Sequence, residues 1–248
     1  MGYMWNLALE CSGITGSVAL CRRNNACTSK NLTENLGSVQ TLAISIEHLL
    51  RSEGIDRPDM ISVTVGPGSF TGLRVGITTA KVLAMAWNLT IAPVDSLHAI
   101  AARAARHAAP KDVPILIVPV INAFRRQVFA GLWLRCGDSL ECLARSQVLD
   151  AELWQAEPVL SLRKNSTQWK DGLDGPLPTV VITGPGLDCY LPRDKSLHLC
   201  DAQWRLPAAE DVAALGWDAL DAGRTQSSVE LLPNYVRASA AEEARLRA

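Results

Sequence analysis

The chain reads as an α/β protein of two like subdomains, each a mixed sheet flanked by helices. Three observations support this. The order β-β-β-α-β-α occurs twice, at a period too long for a solenoid. A Gly-Pro-Gly turn follows the fourth strand of each half, as Val65-Gly66-Pro67-Gly68 and as Thr183-Gly184-Pro185-Gly186. The 248 residues, 48% hydrophobic and 20% charged, are enough for more than one minimal core and exclude disorder as the main state.

The elements follow in order. Residues 5–11 (WNLALEC) form an apolar run ending at the turn-former Ser12-Gly13, residues 16–22 follow at hairpin spacing, and residues 26–32 make a weaker third strand. Ser38 can cap a helix whose apolar residues Val39, Leu42, Ala43, Ile46, Leu49 and Leu50 recur at helical spacing and which ends near Gly54. Residues 60–65 (MISVTV) are strand-like, residues 71–87 helical, 90–94 a short strand and 96–108 an Ala-rich helix. In the second half, residues 115–121, 127–134 and 140–148 read as strands, 150–157 as a short helix and 163–178 as a polar loop. A strand at 179–183 and a helix at 208–223 complete the repeat. The expected division is 1–109 and 110–248, with the C-terminal tail packing back on the first subdomain.

Charge and cysteine usage narrow the function. With 24 Lys plus Arg against 25 Asp plus Glu the formal charge is −1, which argues against holding nucleic acid unaided by phosphate neutralisation. No apolar run approaches the ~18 residues of a membrane span, and the N-terminus lacks a basic signal-peptide region. A soluble, cytoplasmic protein is expected. Seven cysteines without a CxxC read as reduced thiols, and four histidines without an i, i+4 pair or HExxH offer no metal site.

The most informative stretch is residues 61–87, ISVTVGPGSFTGLRVGITTAKVLAMAW. A strand enters a loop containing Gly66, Gly68, Ser69, Thr71 and Gly72, and a helix begins there, with Ser69 or Thr71 available as its cap. Free N–H groups at a helix start favour an anion, so the loop either seats a phosphate or is a tight turn without a ligand. It is neither a Walker A loop nor GxGxxG. The helix carries only Arg74 and Lys81 as charges, so it has no broad polar face. Gly72, Gly76, Ala80 and Ala84 repeat every four residues. That smooth stripe suits a purely intramolecular core or a partner's helix. The candidate partner interface is Val39, Leu42, Ile46, Gly76, Ala80, Leu83 and Ala84. Arg74 is expected to pair with a carboxylate or to close the glycine loop.

The doubled order resembles the actin and sugar-kinase ATPase superfamily, and at residue level the chain resembles the TsaB (YeaZ) family. GPGSFTGLRVG at residues 66–76 is that family's most distinctive signature and is present whole. Lesser matches are Leu7-Ala8-Leu9-Glu10-Cys11-Ser12, Val94-Asp95-Ser96-Leu97, Ile117-Val118-Pro119-Val120 and the tail Leu232-Pro233-Asn234-Tyr235-Val236-Arg237. The resemblance touches the whole chain, most strongly over residues 60–100. It implies two actin-like subdomains and a non-catalytic subunit supporting threonylcarbamoyl transfer to an adenosine beside the tRNA anticodon. The implied partners are a metal-carrying TsaD-like catalytic subunit and a TsaE-like ATPase, with tRNA reached only through the complex; the apolar helix itself suits a homodimer when the partner is missing. It also implies no cofactor bound alone, with ATP or ADP only in the assembled complex.

Three positions depart from the family pattern. Glu10 stands where Asp is usual, a position that in actin-like ATPases helps hold magnesium, so Glu10 reads as a vestigial magnesium acid. The family's D-A-R is Asn122-Ala123-Phe124-Arg125-Arg126 here, and Gly37-Ser38 replaces a common His-Ser pair. The competing reading is an autonomous ATPase or small-molecule kinase using the 66–72 loop, with Glu10 or Asp95 as its magnesium acid.

Overall fold

Alternation along the first strand sets the layers of the first unit. In β1 (Trp5–Glu10), Trp5, Leu7 and Leu9 enter one hydrophobic cluster and Ala8 enters another on the opposite face, as the two-residue period of a strand requires. The computed structural model describes residues 4–23, 26–32, 39–107, 113–163, 178–234 and 236. In it β1 pairs antiparallel with β2 (Ser17–Arg22), and β2 with β3 (Cys27–Asn31). On the other side β4 (Met60–Gly66) and β5 (Ile91–Asp95) add in parallel, giving the order β3-β2-β1-β4-β5.

Helices α1 (Val39–Ser52) and α2 (Phe70–Trp87) cover the face that carries Leu7 and Leu9. Leu42, Ile46 and Leu49 of α1 join Leu73, Ile77, Ala80 and Ala84 of α2 in that core. The helix α3 (Ser96–His107) follows β5. The Ser38 cap lies outside the described residues.

The second unit holds an antiparallel run β6 (Ile115–Phe124), β7 (Gln127–Cys136) and β8 (Ser139–Asp150). Helices α4 (Ala151–Ala156) and α5 (Pro158–Arg163) place Trp154 and Leu162 against Leu116, Val118 and Val120. Strands β9 (Thr179–Thr183) and β10 (His198–Leu199) extend the sheet in parallel, in the order β10-β9-β6-β7-β8. Counted from its own first strand, each sheet runs third, second, first, fourth, fifth. The two mixed sheets therefore share one topology, as the doubled sequence order requires. The loop expected over 163–178 falls almost wholly outside the described residues.

The division of the chain differs from 1–109 and 110–248. Among the described residues, one unit lies within 4–99 and Pro207–Asn234, and the other within Ile100–Leu206 with Val236. The helix α6 (Ala209–Asp221), read from sequence as closing the second half, packs Ala209, Val212 and Ala213 against Ala8 and Ala19 of the first sheet. That face of β1 and β2 carries small side chains and needs an equally small helix face. Periodicity shows that a helix has an apolar face but not which sheet it covers. Cys21 and Cys27 stand opposite each other across β2 and β3, Cα to Cα 4.0 Å.

Candidate functional site

The glycine loop sits between β4 and α2, and its own chain closes it. The Ser69 N–H donates to the Ser12 carbonyl at 2.8 Å, and the Ser69 hydroxyl caps α2 by accepting from the Gly72 N–H at 3.2 Å. A Cβ added to Gly68 would stand 2.3 Å from the Ser12 oxygen, and one added to Gly72 would stand 2.1 Å from the Cys11 oxygen. These glycines let the turn after β1 lie directly on the loop. The second unit repeats the device, since a Cβ on Gly184 would stand 2.2 Å from the Val120 oxygen. The Gly-Pro-Gly echo thus has one physical reason in both units, the close approach of a turn to the backbone of the unit's first strand or the turn just after it. Gly66, Gly68 and Ser69 thus form a tight strand-to-helix turn, with Thr71 and Gly72 in the first turn of α2.

Glu10, at the end of β1, is fully buried. Its Oε1 accepts from the Ser12 N–H at 2.7 Å and from the Ser12 hydroxyl at 2.5 Å, while Oε2 has no partner among the described residues. Burial pushes its carboxyl up to about 7 against the opposing pull of these bonds. The neighbouring Cys11 thiol is pushed up as well, by burial and then by Glu10. The Glu10 carboxyl is thus sealed under its own turn and drawn toward its neutral form. Asp95 is committed elsewhere. It caps α3 by accepting from the Leu97 N–H at 2.8 Å and the His98 N–H at 3.1 Å. Among the described residues no three His, Cys, Asp or Glu side chains gather as a metal site.

The expected partner interface is corrected. Gly76, Ala80 and Ala84 face inward, as do Leu42 and Ile46, and Leu83 packs partly buried against the same core. A Cβ on Gly76 would meet Cys11 Cβ at 3.0 Å and Sγ at 3.1 Å, so the small stripe seats α2 on its own sheet. The Val39 side chain lies outside the described residues. The surface that sequence reasoning missed is the opposite side of the same helix. Phe70 (53% exposed), Val82 (58%) and Met85 (70%) point to solvent, and Ile44 of α1 is 63% exposed. Phe70, Arg74, Thr78 and Val82 step four residues at a time, a second stripe that could have been read beside the first. The Arg74 guanidinium lies over the ring of Phe70, a residue of the 66–72 loop, 3.9 Å from its centroid.

Asn122 has a defined task in the second unit. Its Oδ1 accepts from the Phe124 N–H at 2.8 Å and its Nδ2 donates to Cys189 Sγ at 3.3 Å, so it ties the β6–β7 turn to the segment after β9. An ionised aspartate could supply only the first of these bonds.

The comparisons with known proteins agree with one another. A family profile described as TsaD, tRNA N6-adenosine threonylcarbamoyltransferase, matches residues 36–179, more than half of the chain. The Bacillus subtilis tRNA threonylcarbamoyladenosine biosynthesis protein TsaB is 30% identical over 187 residues, covering 72% of this chain and 79% of that one. The Escherichia coli TsaB is 25% identical over 210 residues, 80% of either chain. The solved structure of YeaZ from Pseudomonas aeruginosa shares the fold, with a TM-score of 0.72 at 24% identity over 94% of this chain and 99% of that one. By sequence and fold together, the chain belongs to the TsaB (YeaZ) branch of the TsaD-type threonylcarbamoyltransferase family.

Proposed function

We propose that the chain is an interaction subunit of tRNA threonylcarbamoyladenosine biosynthesis, acting in the cytoplasm by binding and supporting a TsaD-like catalytic partner. The observation that carries this is the exposed side of α2, where Phe70, Val82 and Met85 stand with Arg74 and Thr78, and Ile44 is exposed on α1, a helix packed into the same core. A stable complex buries ~1,600 Å² around an apolar centre, and this stripe supplies such a centre. The closed glycine loop and sealed Glu10 favour a subunit that does no chemistry alone and binds no nucleotide alone, ATP or ADP entering only with the assembled complex and its TsaE-like ATPase. A formal charge of −1 favours tRNA binding through the complex. Without its partner, the same stripe would pair with a second copy.

The test is co-purification. Val82→Asp with Met85→Asp is expected to weaken retention of the TsaD-like partner at least tenfold while leaving thermal unfolding unchanged, because both side chains are exposed. Undiminished retention refutes the docking face. Depletion of the protein should lower threonylcarbamoyladenosine in total tRNA, and an unchanged level refutes the pathway. Tight ATP–magnesium binding or turnover by the isolated chain would instead favour the autonomous ATPase.

A further inference from the structure

The β6–β7 turn is built against its own backbone preference. Phe124, Arg125 and Arg126 all have positive φ, at 57°, 51° and 59°. A two-residue hairpin with both central residues left-handed is where Asn-Gly is favoured, because those residues tolerate the conformation. Here two arginines fill it, and a phenylalanine takes a third left-handed position just before them. Neighbours hold the geometry at both ends. Asn122 Oδ1 fixes the Phe124 N–H, and the Arg126 carbonyl accepts from the Ala151 N–H at 2.9 Å. The backbone conformation is therefore imposed, and the residues filling it are not the ones that would relax it. Burial does not compensate, since Phe124 is 73% exposed and both arginines are exposed. Exposed positions that keep a left-handed backbone with residues that do not relax it point to function.

We propose that this turn is an RNA contact, with an unpaired base stacking on Phe124 and backbone phosphates meeting Arg125 and Arg126. The inference rests on the reading of the chain as a tRNA-modification subunit and names a surface by which it would touch that RNA. A flat ring beside two guanidiniums is the combination that single-stranded RNA uses, stacking for the base and charge for the phosphates. An acidic protein surface would use the guanidiniums but has no need of the ring. Because the remainder of the chain is near neutral, the contact is weak alone and sensitive to salt.

Two measurements test it. Fluorescence anisotropy with labelled tRNA transcript and the full chain should show binding at low salt. Arg125→Asn with Arg126→Gly should weaken that binding about tenfold and reduce the salt slope by about 1.5, the share of two phosphate contacts. The same double variant should raise Tm by about 2–4 °C, because it relieves the left-handed strain. Phe124→Leu should weaken binding by about tenfold without changing the salt slope. In cells, p-benzoylphenylalanine in place of Phe124 should give a light-dependent adduct destroyed by ribonuclease. Equal tRNA binding by the variants, no binding by the wild type, a protein adduct or no adduct each overturns the proposal. Failure of the wild-type gene to restore threonylcarbamoyladenosine in a depleted strain would instead overturn the pathway reading. Restoration with a protein adduct overturns only the turn.

Discussion

Replacing Glu10 by Gln should change how the stability of the protein depends on pH. Burial raises the carboxyl from an ordinary 4.5 to about 7 in the folded chain. The native state then holds a proton that the unfolded chain has already released, over the whole window between those values. Stability is therefore full below about pH 4.5, falls as pH rises and levels off above about pH 7. A difference of about 2.5 units at 1.36 kcal/mol each corresponds to about 3 kcal/mol lost across the window. Gln can still accept from Ser12 through its carbonyl oxygen, and it cannot ionise. Urea unfolding at pH 5 and pH 8 should show the wild type losing about 2.5 kcal/mol relative to Glu10→Gln between the two. Wild type and variant running parallel from pH 5 to pH 8 would refute the argument that Glu10 is sealed from water by its own turn.

Two further substitutions test the closed loop and the inward stripe. Gly68→Ala places a methyl 2.3 Å from the Ser12 carbonyl oxygen, which is held by its bond from Ser69 and cannot retreat. A loss of about 3 kcal/mol by chemical denaturation, or failure to yield soluble protein, is expected. A fully stable variant would mean the loop stands open. Ala80→Arg, which a partner-facing stripe would tolerate in the monomer, should instead cost about 3–5 kcal/mol and show as a large drop in Tm, because Ala80 is fully buried in the core. Unchanged melting would return that stripe to the surface.

Much of the fold was legible because it is written locally. The strands of the first unit follow β-branched and apolar runs, and α2 begins at the Ser69 cap that the sequence offers. What could not be read was direction. A helix with charges only at Arg74 and Lys81 has no polar face to orient it, so the Gly76, Ala80 and Ala84 stripe fitted a partner and a sheet equally well. Only the approach of Cys11 decides between them. The destination of α6 was illegible for a similar reason, since many sheets accept an alanine-rich face. The position of Glu10 at a strand end was plain, but its burial depends on a turn folding over it through Ser12, a tertiary event with no mark of its own. The left-handed turn at Phe124 left no trace, because neither Gly nor Asn stands at its centre.

The two sides of α2 do different work, and magnitudes separate them. The inner side completes the core through Leu73, Ile77, Ala80 and Ala84, so folding accounts for it. The outer side gains nothing from folding. Fully burying a large apolar side chain contributes about 1.5–3 kcal/mol, and Phe70, Val82 and Met85 are already partly covered. Burying their exposed share together yields about 3–5 kcal/mol. Association costs an estimated ~4–15 kcal/mol in lost freedom, so the stripe alone roughly breaks even. Two copies meeting only there would form a weak dimer. A partner that added its own apolar anchors and polar rim to the same stripe would form the stronger complex and displace the second copy. Arg74, stacked on Phe70, would then stand beside the apolar centre, where an acidic side chain of that partner would meet it.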